Sequence, residues 1–306
     1  MILSKSSAWL DRGSRSNPRS KGCIFMLRNS IIPFYFIFST AFIISTQSFT
    51  FSEDRKGLES HLSVGMGWEQ LKYEEEEPNR SLGSSAKVSN VIMGIEALKR
   101  WKSVFSGINA IFPVIRGDDQ EEWTTSGTSY QTNTLEYGWM RIDGYIGYPS
   151  TYFFNPYGGL RLSEGKQTRT EFLVNGTTVA GTAEENVRSW SLFLGVRGNG
   201  NLTPKWRWNY RIEYFVPIDV EVTNSAIPGF EASDKDGYAF DLKFEVEYSY
   251  TEALSFGFMM YGGRMHWDGS DWEPFAGGLV KWPENNTDHL GGALNIIWRF
   301  GKRVSK

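Results

Sequence analysis

The stretch that decides the fold is Tyr238–Tyr250, YAFDLKFEVEYSY. Tyr238, Phe240, Leu242, Phe244, Val246, Tyr248 and Tyr250 alternate there with Ala239, Asp241, Lys243, Glu245, Glu247 and Ser249. A period of two places successive side chains on opposite faces of an extended strand, whereas a helix would scatter these charges around its circumference. Trp206–Val222 reads the same way. Trp206, Trp208, Tyr210, Ile212, Tyr214, Val216, Ile218, Val220 and Val222 fall on one face, and Arg207, Asn209, Arg211, Glu213, Phe215, Pro217, Asp219 and Glu221 on the other. Both runs are longer than the about 5 to 6 residues usual for strands in soluble proteins. They exceed the roughly 9 to 11 that cross a bilayer at a tilt.

Read outward from these two, the sequence predicts ten strands, near 58–73, 87–99, 102–115, 134–148, 151–163, 187–198, 205–222, 238–250, 254–267 and 289–300. Connections after even-numbered strands are short: Arg100 and Trp101, Pro149 and Ser150, Asn199–Pro204, Thr251–Ala253. Those after odd-numbered strands are long and polar, such as EEEEPNRSLGSSA (74–86) and GKQTRTEFLVNGTTVAGTAEEN (165–186). The chain has 306 residues, with 12 Trp, 14 Tyr, 21 Phe and 32 Gly, and is 40% hydrophobic and 22% charged, which excludes a bundle of transmembrane helices.

One apolar run, Ile31–Phe49, follows Met26, Leu27 and Arg28 and precedes polar FSEDRKG. A short basic start and an apolar core of this length read as a signal peptide over 26–49, with a retained N-terminal anchor helix as the alternative, 1–25 an upstream extension, 50–57 a linker, 58–300 the folded domain and 301–306 a tail. The single cysteine, Cys23, precedes the apolar run, so the exported chain has no thiol chemistry. Residues 1–30 carry a net charge of +5, which leaves −8 of the overall −3 to the remainder. That acidic balance argues against nucleic-acid binding, which needs a basic face.

The alternation of short and long connections resembles the bacterial outer-membrane β-barrels, across residues 58–300. The resemblance implies an all-β, closed, up-and-down antiparallel barrel of about ten strands, with short periplasmic turns and long extracellular loops. The last strand, LGGALNIIWRF, puts Leu290, Leu294, Ile296, Trp298 and Phe300 on one face, similar to the aromatic-ended strand by which the family meets its barrel-assembly machinery; here GKRVSK follows it. The remaining partners that the resemblance implies are outer-membrane lipid and lipopolysaccharide.

Volume then sets the direction of the faces. Ten strands each presenting five to eight apolar side chains would overfill a small barrel, in which about eight strands leave room only for side chains or one ligand. The apolar face is therefore expected against lipid. Trp206, Trp208, Tyr248, Tyr250, Phe256, Trp298 and Phe300 collect at the short-turn ends as an aromatic girdle. The polar face, with Arg207, Arg211, Glu213, Asp219, Asp241, Lys243, Glu245, Glu247 and Arg299, is expected to fill the lumen as an ion-pair network, joined by Glu221, Arg141, Asp143, Arg161 and Arg197.

A structural or surface-contact role without enzymatic activity follows as the main expectation, with a narrow pore as the alternative. A third reading comes from the omptin proteases, ten-stranded barrels that work with an Asp pair and an Asp–His pair at the extracellular rim. Asp118, Asp119, His266 and Asp268 are the residues to compare, but adjacent aspartates diverge on a strand and His266 falls on the lipid-facing parity. Lipid-A-modifying barrels use a Ser–His pair, and Ser255 lies at the opposite end of its strand from His266. His61, His266 and His289 are dispersed, so no metal site or cofactor is expected; Asp118, Asp119, Glu121 and Glu122, like Glu74–Glu77, read as solvated loop residues or as ones bridged to lipopolysaccharide by divalent ions, with Ca²⁺ held in loops as the alternative.

Overall fold

The computed structural model describes residues 2–4, 58–77, 81–227, 229–233, 236–275 and 278–300. The proposed extension, signal peptide, linker, Cys23 and tail lie almost wholly outside these residues. Ten long strands form the barrel: β1 His61–Glu77, β2 Leu82–Arg100, β3 Phe105–Ile115 resuming as Asp118–Thr125, β4 Thr128–Gly147, β5 Asn155–Val174, β6 Ala183–Asn201, β7 Trp206–Asn224, β8 Gly237–Ser249, β9 Leu254–Trp267 and β10 Glu284–Arg299. Each pairs antiparallel with the next, and β10 pairs with β1 from Glu284↔Glu76 to Arg299↔His61, closing the sheet. Closure leaves no edge in the barrel wall.

The faces are as the alternation requires. Leu294 is 70% and Phe244 47% exposed to the surroundings, whereas Lys243 is 6% exposed inside. On β1 the outward row runs Leu62, Val64, Met66, Trp68 and then changes to Gln70, Lys72, Glu74 and Glu76. On β10 it runs Trp298, Ile296, Leu294, Gly292, Leu290 and then Asp288, Asn286 and Glu284. The apolar run Leu290–Trp298 is about what a tilted strand needs to cross a hydrocarbon layer. Beyond it the barrel continues with a water-compatible outer surface.

In that projecting half the inward rows carry large apolar side chains beside buried charged ones. Leu71, Leu135, Tyr137, Trp139, Val187, Val220, Val222 and Trp282 are buried there. In β7 a bulge between Pro217 and Asp219 makes the switch, because Pro217 pairs with Ser191 but Asp219 with Trp190. Proline supplies no ladder N–H, and the extra residue, Ile218, inverts the alternation beyond it. Asp219 and Glu221 consequently face outward and are exposed, and Val220 and Val222 face inward, which corrects their expected places.

The outer connections are long in sequence, yet much of that length is strand. β3 and β4 are joined by Ser126–Gly127, both with positive φ (48° and 78°), and β5 turns at Asn175–Gly176 (48° and 77°) into Thr177–Val179. Both central residues with φ > 0 make the turn that matches strand twist. Runs 74–77 and 118–122 are correspondingly in β1 and β3, not in loops.

Candidate functional site

The lumen is the one place where the barrel concentrates chemistry, and its side chains form three layers. At the short-turn end Glu59 accepts from Arg207 Nη1 at 2.7 Å and pairs with Arg299 Nε at 3.2 Å. Arg299 also bonds Glu247 and Ser255. Asn209 Nδ2 donates to Glu245 and Glu247, each at 2.8 Å, and Asn295 donates to the other oxygen of Glu245.

The middle layer is more deeply buried. Glu96 takes Arg211, Arg197 at 3.4 Å and the Tyr145 hydroxyl at 2.8 Å. Arg161 grips Asp143 with two bonds, 2.6 and 3.0 Å, and crosses to Asp241 at 2.7 Å, while its guanidinium lies 3.6 Å from the Phe215 ring centre. His289 Nε2 is 3.1 Å from Asp241, Tyr157 donates to Glu213 at 2.6 Å, and Arg141 pairs with Glu69. Paired charge of this kind is costly to create and costly to break, because removing one partner strands the other in a poorly solvating interior.

The outer layer lies beyond the apolar band. Arg169 donates to Glu121 at 2.7 and 3.1 Å and to Glu75 at 2.9 Å, with Glu185 at 3.9 Å. Burial raises the Glu121 carboxyl, but the Arg169 charge and hydrogen bonds from Arg169 and Asn133 outweigh it and hold the group at about 2. Glu185 moves the other way, pushed up by burial and by the neighbouring Glu75 charge. Trp282 Nε1 donates to Glu185 at 3.1 Å, and Lys281 pairs with Glu77, so segment 268–283 is tied into the mouth of the barrel.

Of the nine lumen positions expected from sequence, Arg207, Arg211, Glu213, Asp241, Lys243, Glu245, Glu247 and Arg299 point inward, and Asp219 does not. Glu69, Glu96, Glu75, Glu77, Glu121, Arg169 and Glu185 were not singled out as lumen residues; all but Glu96 are at most 4% exposed. The signal that identifies them is parity: Glu69, Glu75 and Glu77 share the inward row of β1 with Leu71 and Tyr73. The acidic runs are therefore split, alternate carboxylates being sealed inside.

Trp206, Trp208, Tyr248, Tyr250, Phe256, Trp298 and Phe300 all lie at the short-turn end. The ring centres of Trp206 and Tyr248 are 5.1 Å apart, and those of Tyr250 and Phe256 6.1 Å. At the opposite limit of the band Tyr214 stacks on Tyr238 at 6.5 Å, and Tyr238 meets His266 at 5.1 Å.

His266 sits on the outer surface, between Asn286 and Asp268, each 3.0 Å away. Asp118 and Asp119 are exposed on β3, opposite Glu136 and Leu135, and β10, β1 and β2 intervene between them and His266. The rim residues are thus not brought together. Ser255 is likewise at the far end of β9, bonded to Arg299. Among the described residues no group of three or more His, Cys, Asp or Glu is placed to hold a metal ion.

No protein-family model matches this sequence. No curated protein matches it either. Among solved structures, the outer membrane protease OmpT from Escherichia coli superposes with a TM-score of 0.61 at 8% identity, over 81% of this chain and 100% of that one. The translocator domain of the autotransporter NalP from Neisseria meningitidis gives 0.36 at 11% identity, over 89% and 98%. Ail, the attachment invasion locus protein of Yersinia pestis, gives 0.28 at 9% identity, over 78% and 99%. At such identities a likeness speaks for architecture and not for activity, and only the first is close enough to argue from. Its shape, the closed ten-strand wall and the apolar outer band agree: this chain has the fold of the bacterial outer-membrane β-barrels.

Proposed function

We infer that this protein resides in a Gram-negative outer membrane as a barrel with a sealed lumen, and acts as a structural or surface-contact protein without catalytic activity. One observation carries the reading: the interior is occupied along its length, by buried ion pairs in both halves and, in the projecting half, also by Leu71, Leu135, Tyr137, Trp139 and Trp282. A ten-strand barrel is already narrower than the about 16-strand porins that keep a channel. Export through the 26–49 signal peptide, insertion directed by the β10 strand, and contact of the projecting surface with lipopolysaccharide belong to the same reading. The ligand of that surface is a matter for binding experiments on intact cells.

Purified barrel reconstituted into planar bilayers is expected to show no steady conductance. Discrete channels whose ion selectivity changes in Arg211→Glu would replace this reading with the narrow pore; in a sealed network the same substitution lowers stability instead. Turnover of peptide or lipid that is lost in His266→Ala would install the rim hydrolase.

A further inference from the structure

On the short-turn side of the Asp143–Arg161–Asp241 bridge the lumen contains a chamber of about 30 Å³. A cavity needs about 10 to 15 Å³ on this measure to admit one water, so the space suits one or two waters or a single halide-sized ion. Lys243 and Arg211 line it and lie directly opposite each other across the β7–β8 pair, both facing inward. Like charges directly opposed on one face of a sheet are destabilising.

The neighbouring opposed pair, Asp241 and Glu213, is relieved by Arg161, His289 and Tyr157. Arg211 is relieved by Glu96. Lys243 is not. It is 6% exposed, and among the described residues no carboxylate lies within 4.0 Å of its ammonium and no hydrogen bond reaches it. Glu96 and Glu245 also border the chamber, but their oxygens are taken by Arg211, Tyr145, Asn209 and Asn295. An ammonium is a compact, strongly hydrated charge, and burying it without an acceptor is costly.

We propose that this chamber is a binding site for one small monovalent anion of halide size, with the Lys243 ammonium as its charged ligand and the Arg211 guanidinium as the second positive wall. The anion supplies the acceptor that Lys243 lacks and screens it from Arg211. The site is independent of whether the projecting surface has a partner, since it lies inside the lumen at the level of the apolar band.

Crystals of the full barrel grown with sodium bromide test it directly. An anomalous bromide peak within hydrogen-bonding reach of Lys243 Nζ, absent in Lys243→Gln, is expected; ordinary water density there without an anomalous signal overturns the proposal. In detergent, bromide at the same ionic strength as gluconate should raise the temperature at which the wild-type barrel loses its fast gel migration. Lys243→Gln should have one midpoint in both salts, and an equal bromide response in the two proteins overturns the site. Should Lys243→Gln fail to fold, Lys243→Arg keeps the charge and must retain the bromide response, and its loss there counts against the proposal.

Discussion

Arg169 reaches Glu75, Glu121 and Glu185 at once, inside the projecting half of the barrel. Replacing it with methionine strands the buried Glu75 and Glu121 carboxylates, and breaking a buried pair costs about 3 to 5 kcal/mol. Arg169→Met should therefore lower the heat-modification temperature far more than Arg264→Met, whose pair with Asp288 at 2.5 Å is half-exposed on the outer surface. The pH dependence has two signs here. Glu121 titrates at about 2, below its unfolded value, so the stability it lends is complete above the ordinary glutamate range and is lost as pH falls toward about 2. Glu185 is raised, so the fold favours its protonated form: that contribution is full at low pH and is lost as pH rises through the folded value. Glu185→Gln should raise the unfolding midpoint at neutral pH and lose the advantage below about pH 4.

At the scale of the strand, the bulge at Ile218 decides which side chains of β7 are wet. Deleting Ile218 would remove the bulge and leave Pro217↔Ser191 and Asp219↔Trp190 as consecutive pairs of one regular ladder, with Asp219 and Glu221 still outward and Val220 and Val222 still inward. The deletion variant should therefore still reach the heat-modifiable form when refolded into detergent, and Asp219→Ala, at an exposed position, should stay within about 0.5 kcal/mol of wild type. Segment 268–283 is held by Trp282, whose backbone N–H donates to Ser270 Oγ at 2.8 Å and whose ring is fully buried. Trp282→Ala removes that ring at a cost of about 3 to 5 kcal/mol and should expose the segment to added protease on intact cells, with the barrel itself still folded.

For the whole molecule, the two environments along the axis set the sequence requirements. Inside the band, arginine at a lipid-facing position costs about 2 to 4 kcal/mol at mid-depth. Leu294→Arg should therefore impair folding into vesicles, and Lys72→Leu, beyond the band, should not. Unheated and boiled samples should migrate differently on gels, because a closed hydrogen-bonded wall resists detergent until heated. Identical migration would remove the basis for every membrane assignment made here.

Strand count, alternation and the outward direction of Phe240, Phe244 and Val246 were legible in the chain, because a period of two and an overfull apolar face are local properties. The position of Trp206, Trp208, Tyr248, Tyr250, Phe256, Trp298 and Phe300 at the short-turn end was legible for the same reason, each following from its distance to a short turn. The place of Asp219 was not, since one residue of bulge flips everything beyond it and only the β6 partner strand reveals the slip. Nor was the fate of the acidic runs: a carboxylate in 74–77 or 118–122 reads as solvated until a guanidinium 48 to 94 residues away, Arg169, is brought beside it. Local periodicity thus determined the barrel and its faces, and tertiary closure decided which charges meet, because ion pairing across a lumen depends on strands that are neighbours in space and not in sequence.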